Sequence, residues 1–552
     1  MPFVGEIFSQ LKVAADIKVL QEIRDGQVTG VTGAEFLELI RRARTFFAAK
    51  ELKKGDRCVL LAANSIRWMA LDFAAMAEGL IVVPLYFRQA PAELVAMMKD
   101  STPSLVCCGD AALREGILQN WAGGSGAPPH FLFDEIFLGV DEVSLDRLQV
   151  RDEDPVTIIY TSGTSGEAKG VVLTAANVGF MLGCTSARLD SLMGGRSGRD
   201  DIFHYLPFSF CASWIAVLTF LLRGSLVTLN TDLTKIPSDM PVVAPHYFLN
   251  VPQLLERMRR AVDEQIAQKG GVGRAIYARA KAARVRKKEK TSKAGDAVWE
   301  WLAESVVFPA IRKKMAGSNL KALICGSAPL TPETQDYFSM LGIPVLQVYG
   351  LTETTGICTM DDPNNLVPGS VGPAISGIEM KLADSCEIVV RGPNVFAGYW
   401  NRPQQTAEVL RDGWFHTGDQ GEMDEAGNWR IVGRIKNLIV LGSGHKIAPE
   451  TIEGEIAHLL PDAQQVVVVG NGRGYLSAIV TGSVTAEHVQ SALDAVNPGL
   501  PHYKQVRAFC LRTEAFSIEN GMLTANGKLK RDLISARMNS QIEDMYRVKQ
   551  AV

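Results

Sequence analysis

Residues Tyr160-Thr161-Ser162-Gly163-Thr164-Ser165-Gly166-Glu167-Ala168-Lys169-Gly170 alternate hydroxyls with glycines and close on a single lysine. Glycine lets backbone N–H groups converge on an anion, and Ser and Thr add hydroxyl donors. Lys169 contributes a mobile positive charge. A run of this kind is suited to holding a polyphosphate. It is not a P-loop of the G-x-x-x-x-G-K-[ST] type, because the sixth position from Gly163 is Ala168 and Gly170 follows Lys169. The β-prone Gly170-Val171-Val172-Leu173-Thr174 comes next, so the expected setting is strand–loop–strand. A Ser/Gly-rich hairpin without function has a similar composition, and the loop alone does not separate the two.

Four more elements follow in order: Tyr349-Gly350-Leu351-Thr352-Glu353, Trp414-Phe415-His416-Thr417-Gly418-Asp419, Gly433-Arg434-Ile435-Lys436-Asn437, and Leu523-Thr524-Ala525-Asn526-Gly527-Lys528-Leu529-Lys530-Arg531. Together with the loop they resemble the motif set of the adenylate-forming superfamily: acyl-CoA synthetases, luciferases and the adenylation domains of peptide synthetases. The resemblance runs from residue 30 to residue 535, nearly the whole chain.

The resemblance implies a two-step reaction. A substrate carboxylate attacks the α-phosphate of ATP, giving an acyl-adenylate and pyrophosphate, and the thiol of coenzyme A then displaces AMP. The substrate is its own nucleophile, so the protein supplies positioning and charge stabilisation. Thr161, Ser162, Gly163, Thr164, Ser165, Gly166 and Lys169 would close over the β- and γ-phosphates. Tyr349 and Gly350, with Gly326-Ser327-Ala328, would frame the adenine. Thr352 would touch the α-phosphate and Glu353 would hold Mg²⁺, a hard cation that takes carboxylate and phosphate oxygens. Asp419 and Arg434 would take the ribose. Lys528 would reach the α-phosphate and the attacking carboxylate, with Lys530 in the same loop as its competitor for that role. Family members rotate a small domain about the position that is Lys436 here. One orientation delivers Lys528, and the other brings Gly442-Ser443-Gly444 to the pantetheine arm.

These residues need a scaffold. The 552 residues are 47% hydrophobic and 21% charged, a globular composition. Helical and strand patterns alternate at Phe36 to Ala49, Arg57 to Ala62, Trp68 to Glu78 and Leu80 to Leu85. The expected fold is α/β: a large N-terminal domain of layered, mostly parallel sheets over residues 1–434, and a small mobile α+β domain over 435–552. Strands are expected at Gln465 to Val469 and Ala478 to Val480. Polar breaks at Gly123 to Gly126 and Asp152 to Pro155 read as separating subdomains. A net charge of −3 gives no pull toward nucleic acid, and the N-terminus lacks the basic and apolar regions of a signal peptide. Nine scattered cysteines without C-x-x-C suit reduced thiols in the cytoplasm.

The acid is read from Pro207-Phe208-Ser209-Phe210-Cys211-Ala212-Ser213-Trp214, where many relatives carry His or Glu and this chain carries Phe210 and Cys211. An apolar lining of Phe208, Phe210 and Trp214, beside Gly350, suits a hydrocarbon tail. This segment, Pro245 to Pro252 and Glu519 to Thr524 resemble long-chain fatty acyl-CoA synthetases, although ordinary core residues would look alike. Nine basic residues against one acid between Arg274 and Lys293 read either as a solvated helix face or as a contact for anionic membrane, which would place a cytoplasmic chain at a membrane periphery. Other readings stay open. The acceptor is an acyl carrier protein, or the acid is a different apolar one. From another class, the chain is an inactive nucleotide- or lipid-binding scaffold.

Overall fold

The computed structural model describes residues 2–121, 126–138, 150–162, 168–194, 198–524 and 527–547. Local chemistry starts the elements where the sequence signals them. Thr32 caps the helix Gly33–Ala49 in a reciprocal box with Glu35, and Phe36, Ile40, Ala43 and Phe47 of that helix turn inward. The next strand, Arg57–Leu61, is apolar throughout because both of its faces are covered. Cys58 and Leu60 enter one core, and Val59 and Leu61 enter another.

Two large sheets dominate the N-terminal domain. The first has seven strands in the order Gly398–Tyr399, Ala168–Thr174, Pro155–Ser162, Ile81–Leu85, Arg57–Leu61, Leu105–Cys108 and His130–Leu132. Its last five strands are parallel, while Ala168–Thr174 folds back on Pro155–Ser162 as an antiparallel hairpin. The two strands expected to flank the Ser/Gly-rich run are therefore present. The break at Asp152 to Pro155 is not a subdomain boundary: Thr157 pairs with Val82 inside this sheet, so the polar turn only links two of its strands.

The second sheet has eight strands, with six parallel strands at its centre: Val345–Tyr349, Ala322–Cys325, Tyr247–Asn250, Asp201–His204, Leu226–Asn230 and Lys18–Arg24. The helices Ile66–Ala77 and Cys211–Leu222 are almost wholly buried in the main core, which explains why the apolar run from Leu206 to Leu222 is so long. No helix among the described residues is long and apolar enough to cross a membrane. A third, antiparallel sheet carries Trp414–Met423 against Trp429–Arg434.

The small C-terminal domain is built on Ala463–Val469, Leu476–Gly482 and Val506–Arg512. Alternation along the first strand sorts its valines onto two faces. Val466 and Val468 pack with Ile452 and Ile456 of the helix Pro449–Leu459, while Val467 and Val469 pack with Ile534 and Ile542 from the last two helices and with Met538 between them. The sheet is thus covered on both sides.

Candidate active site

The site gathers where parallel strands end and their carboxyl termini open into loops. Tyr349 closes one strand of the second sheet, and Thr352–Thr354 form a short 3-10 turn just beyond it. Gly326 follows the neighbouring strand and donates its N–H to the Asn250 carbonyl at 3.2 Å. Ser327, exposed after it, adopts a left-handed φ of 77°, and Ala328 is exposed as well.

Asp419 and Arg434 are register partners on adjacent antiparallel strands, so 15 residues of chain bring their side chains opposite one another. Arg434 Nε lies 2.8 Å from Asp419 Oδ1, and the Tyr349 hydroxyl donates to Asp419 Oδ2 at 2.8 Å. Asp419 is 3% exposed. Burial and the Asp419 charge push the Tyr349 phenol well above its ordinary value, so it stays a donor. Burial pulls the Arg434 guanidinium down, but Asp419 and Glu353 outweigh it and leave it firmly charged.

Glu353 accepts a hydrogen bond from the Tyr399 hydroxyl at 2.9 Å, and Lys169 Nζ sits 5.1 Å from the centre of that ring. Tyr399 was not anticipated from the sequence. Its signal was the aromatic pair Tyr399-Trp400 after Gly398, whose strand Gly398–Tyr399 adds to the edge of the first sheet against Val171 and Val172. Thr161, half-buried, lies across the hairpin from Lys169 and donates its hydroxyl to the Lys169 carbonyl at 3.5 Å. Gly163, Thr164, Ser165 and Gly166, and the side chain of Ser162, lie outside the described residues.

Lys528 comes to this site from the small domain. Its loop is closed locally: Thr524 N–H donates to the Lys528 carbonyl at 2.8 Å, Lys528 N–H donates to Thr524 Oγ1 at 3.1 Å, and Gly527 takes a left-handed φ of 74°. The ammonium is open to the water of the cleft yet enclosed by protein. That enclosure and then Arg434 hold it below its ordinary value, with Asp419 and Glu353 opposing them. Lys436 lies in the 3-10 turn Ile435–Asn437. Enclosure, then Arg434 and Lys169, push its ammonium down to about 8. A surplus of cations facing two carboxylates is the electrostatics of a site for an anionic ligand.

A cleft of about 1190 Å³ runs between the domains. Tyr86, Glu93, Tyr160, Thr161 and Phe210 line one wall, Thr524, Lys528 and Lys530 the other, with Arg434 and Lys436 also on its surface. Phe210 meets Tyr86 at 5.5 Å between ring centres. Phe208 and Trp214, read as pocket lining, are packed inside the core instead. Phe208 lies against Trp68 and His204, and Trp214 Nε1 donates to the buried Asp72 at 2.8 Å. Gly442-Ser443-Gly444 is an exposed turn between Ile439–Val440 and Lys446–Ile447 and does not reach the cleft in this orientation.

The basic helix Gly271–Lys288 has most of its charge paired within the protein. Lys281 pairs with Asp263, Arg286 with Asp296, Lys287 with Glu300 and Lys288 with Asp336, while Arg279 covers the Trp299 ring at 4.2 Å.

The family model described as AMP-binding enzyme matches residues 11–400, and that of the AMP-binding enzyme C-terminal domain matches residues 436–550. Long-chain-fatty-acid–CoA ligase FadD15 of Mycobacterium bovis is 29% identical, over 98% of this chain and 96% of the relative. Putative fatty-acid–CoA ligase fadD11 of Mycobacterium tuberculosis is 30% identical over 72% and 74% of the two chains. The fold is that of o-succinylbenzoate CoA synthetase (MenE) from Bacillus subtilis, solved with an acyl-adenylate intermediate: TM-score 0.75 at 20% identity, covering 96% and 97% of the chains. With both models matched in order along nearly its full length, the chain belongs to the AMP-binding enzyme family.

Proposed function

We propose that this enzyme joins a long-chain fatty acid to coenzyme A through an acyl-adenylate. In the first step a carboxylate oxygen of the acid bonds to the α-phosphorus of ATP and pyrophosphate leaves. In the second the thiol of coenzyme A bonds to the acyl carbon, its proton passes to solvent and AMP leaves. The observation that carries this reading is the convergence of Lys528, from the small domain, with Arg434, Asp419 and Glu353 of the large one. Lys528 and Arg434 are two cations lining the cleft beside the place where negative charge gathers in adenylation. Asp419 is the acceptor for the ribose hydroxyls, with Tyr349, Gly350 and Gly326 to Ala328 around the base and Thr352 at the α-phosphate. Thr161 and Lys169 belong to the β- and γ-phosphates.

Mg²⁺ fits this donor set as a companion of the nucleotide. Glu353 offers a carboxylate, and no group of three His, Cys, Asp or Glu among the described residues could hold a metal. Phosphate oxygens and water would complete the coordination, and the ion would neutralise charge on the phosphates. The reading also divides the chain at Arg434, with rotation of 435–552 about Lys436. The outward turn at Gly442 to Gly444 then comes to the cleft for the second step.

Relatives named as long-chain ligases over nearly the full chain support the choice of acid, and Phe210 and Tyr86 on the cleft wall agree with an apolar tail. The test is ATP–pyrophosphate exchange over acids of graded chain length. Acids of roughly twelve or more carbons should drive it, because the apolar lining rewards added methylenes. Release of ADP and phosphate would overturn the adenylation reading. Product analysis with coenzyme A against an acyl carrier protein decides the acceptor. Peripheral contact with an anionic membrane through residues 274–293 finds support at one end of the basic segment. Lys290 and Lys293 have no ion pair with a described carboxylate, and Val298 and Trp301 nearby are 55% and 66% exposed. Replacing these four residues should weaken sedimentation with phosphatidylserine vesicles, and unchanged sedimentation would remove the membrane role.

A further inference from the structure

Lys528 acts only while the small domain faces the nucleotide, so something must favour that orientation. Two residues further on, Lys530 Nζ donates to Glu93 Oε1 at 3.0 Å, a contact between groups 437 residues apart in the chain. Glu93 stands in the first turn of the helix Pro91–Ser101 in the large domain, and its other oxygen accepts from Gln89 Nε2 at 3.2 Å. The carboxylate is therefore fixed at both oxygens. Lys530 is anchored too: its N–H donates to the Met522 carbonyl, and its own carbonyl accepts from Ile534 N–H, both at 2.9 Å. Between the two lysines Leu529 bridges to Leu523, which ties Lys528 and Lys530 into one closed loop. The contact thus joins two held pieces rather than two loose ends. A second contact joins the two domains where the Arg260 guanidinium donates to the Pro461 carbonyl.

Resting on the functional reading above, we infer that Glu93 is a positioning residue for the first half-reaction. By holding Lys530 it registers Lys528 over the nucleotide, and it lets go when the small domain turns for thioester formation. The side chains of the pair are 23% and 44% exposed, so water and salt weaken it. That weakness suits a contact that must break in every cycle. A strong buried pair would trap the enzyme after adenylation.

The test uses the full chain and reads the half-reactions separately: ATP–pyrophosphate exchange with a fatty acid, and acyl-CoA formation from synthetic acyl-AMP and coenzyme A. Glu93→Gln and Lys530→Gln should each lower exchange about 2- to 5-fold, the range of a partly exposed ion pair. Thioester formation should hold or rise. The double variant should lose no more than either single one, and the swap Glu93→Lys with Lys530→Glu should recover most of the exchange. Losses that multiply in the double variant, or equal losses in both half-reactions, would overturn the inference. A wild-type chain without acid-dependent exchange defeats the functional reading itself, whereas a competent wild type with unmoved variants defeats this inference alone.

Discussion

Gly350→Ala tests how tightly the proposed nucleotide site is built. A Cβ added at Gly350 would lie 1.9 Å from the Gly356 carbonyl oxygen and 2.7 Å from Ile357 Cα. Both are backbone atoms, so no side chain can rotate out of the way. Reaching ordinary contact at 3.4 Å requires the two segments to part by about 1.5 Å. The neighbouring hydrogen bonds resist this, since Cys358 N–H donates to the Tyr349 carbonyl at 2.7 Å and the Tyr349 hydroxyl is 2.8 Å from Asp419. Overpacking of this kind costs about 1–3 kcal/mol of stability. The larger effect is on chemistry, because a displacement of about 1 Å in a positioning group lowers the rate on the order of 10²-fold. Exchange with a saturating fatty acid should therefore fall about a hundredfold while the thermal midpoint drops only modestly. Gly183→Ala is the control: it is exposed in the helix Ala175–Met193 with nothing within 4 Å of the added carbon. It should stabilise by roughly 0.5–1 kcal/mol without changing exchange. If Gly350→Ala keeps exchange within threefold of wild type, the close-packed nucleotide wall is refuted.

Three further outcomes follow from the same geometry. Lys528→Ala should slow adenylation on the order of 10²-fold and leave acyl-CoA formation from acyl-AMP near the wild-type rate; loss of both steps in a folded protein would refute the two-orientation account. Lys436→Pro should fix φ in the turn Ile435–Asn437 and depress thioester formation more than adenylation, and equal losses would remove the residue from the hinge. Asp72, buried in the core with one oxygen bonded to Trp214 Nε1 and the other unpartnered, is raised by burial to about 7, with the Trp214 hydrogen bond opposing. The folded state then binds the proton up to that pH while the unfolded chain releases it near its ordinary value. Stability should fall as pH climbs from about 4 to about 7 and stay flat above, a change of about 4 kcal/mol, read as denaturant midpoints across pH. Asp72→Asn should remove that contribution and leave the like one from Asp361, whose carboxyl burial also raises to about 7, and a slope unchanged in the variant would clear Asp72 as a source of it.

The predicted strands and helices around Phe36 to Leu85 and Gln465 to Val480 formed within a few residues of their expected bounds. Apolar periodicity and a capping box are local signals, and local signals survive in a chain read residue by residue. The β-prone residues after the Ser/Gly-rich run likewise marked the hairpin Pro155–Ser162 with Ala168–Thr174. The polar turn at Asp152 to Pro155 misled, because a turn between strands of one sheet and a turn between subdomains share the same composition. Phe208 and Trp214 misled for a related reason. An aromatic residue that lines a cleft and one that fills a core are chemically identical, and only the packing of Trp68 and Asp72 against them decides.

The sequence by itself determined which groups were available for chemistry. Lys169, Glu353, Asp419, Arg434 and Lys528 stand in ordered motifs, and it is the resemblance of that ordered set to the adenylate-forming superfamily that implies phosphate chemistry. Tertiary structure decided which of these groups meet and what holds them. Register set Arg434 opposite Asp419, and an edge strand carried Tyr399 to Glu353. The docking of the small domain brought Lys528 to the site and Lys530 to Glu93. No local pattern encodes the last of these, because hundreds of residues separate the partners and their contact exists only once two independently packed cores face each other across the cleft.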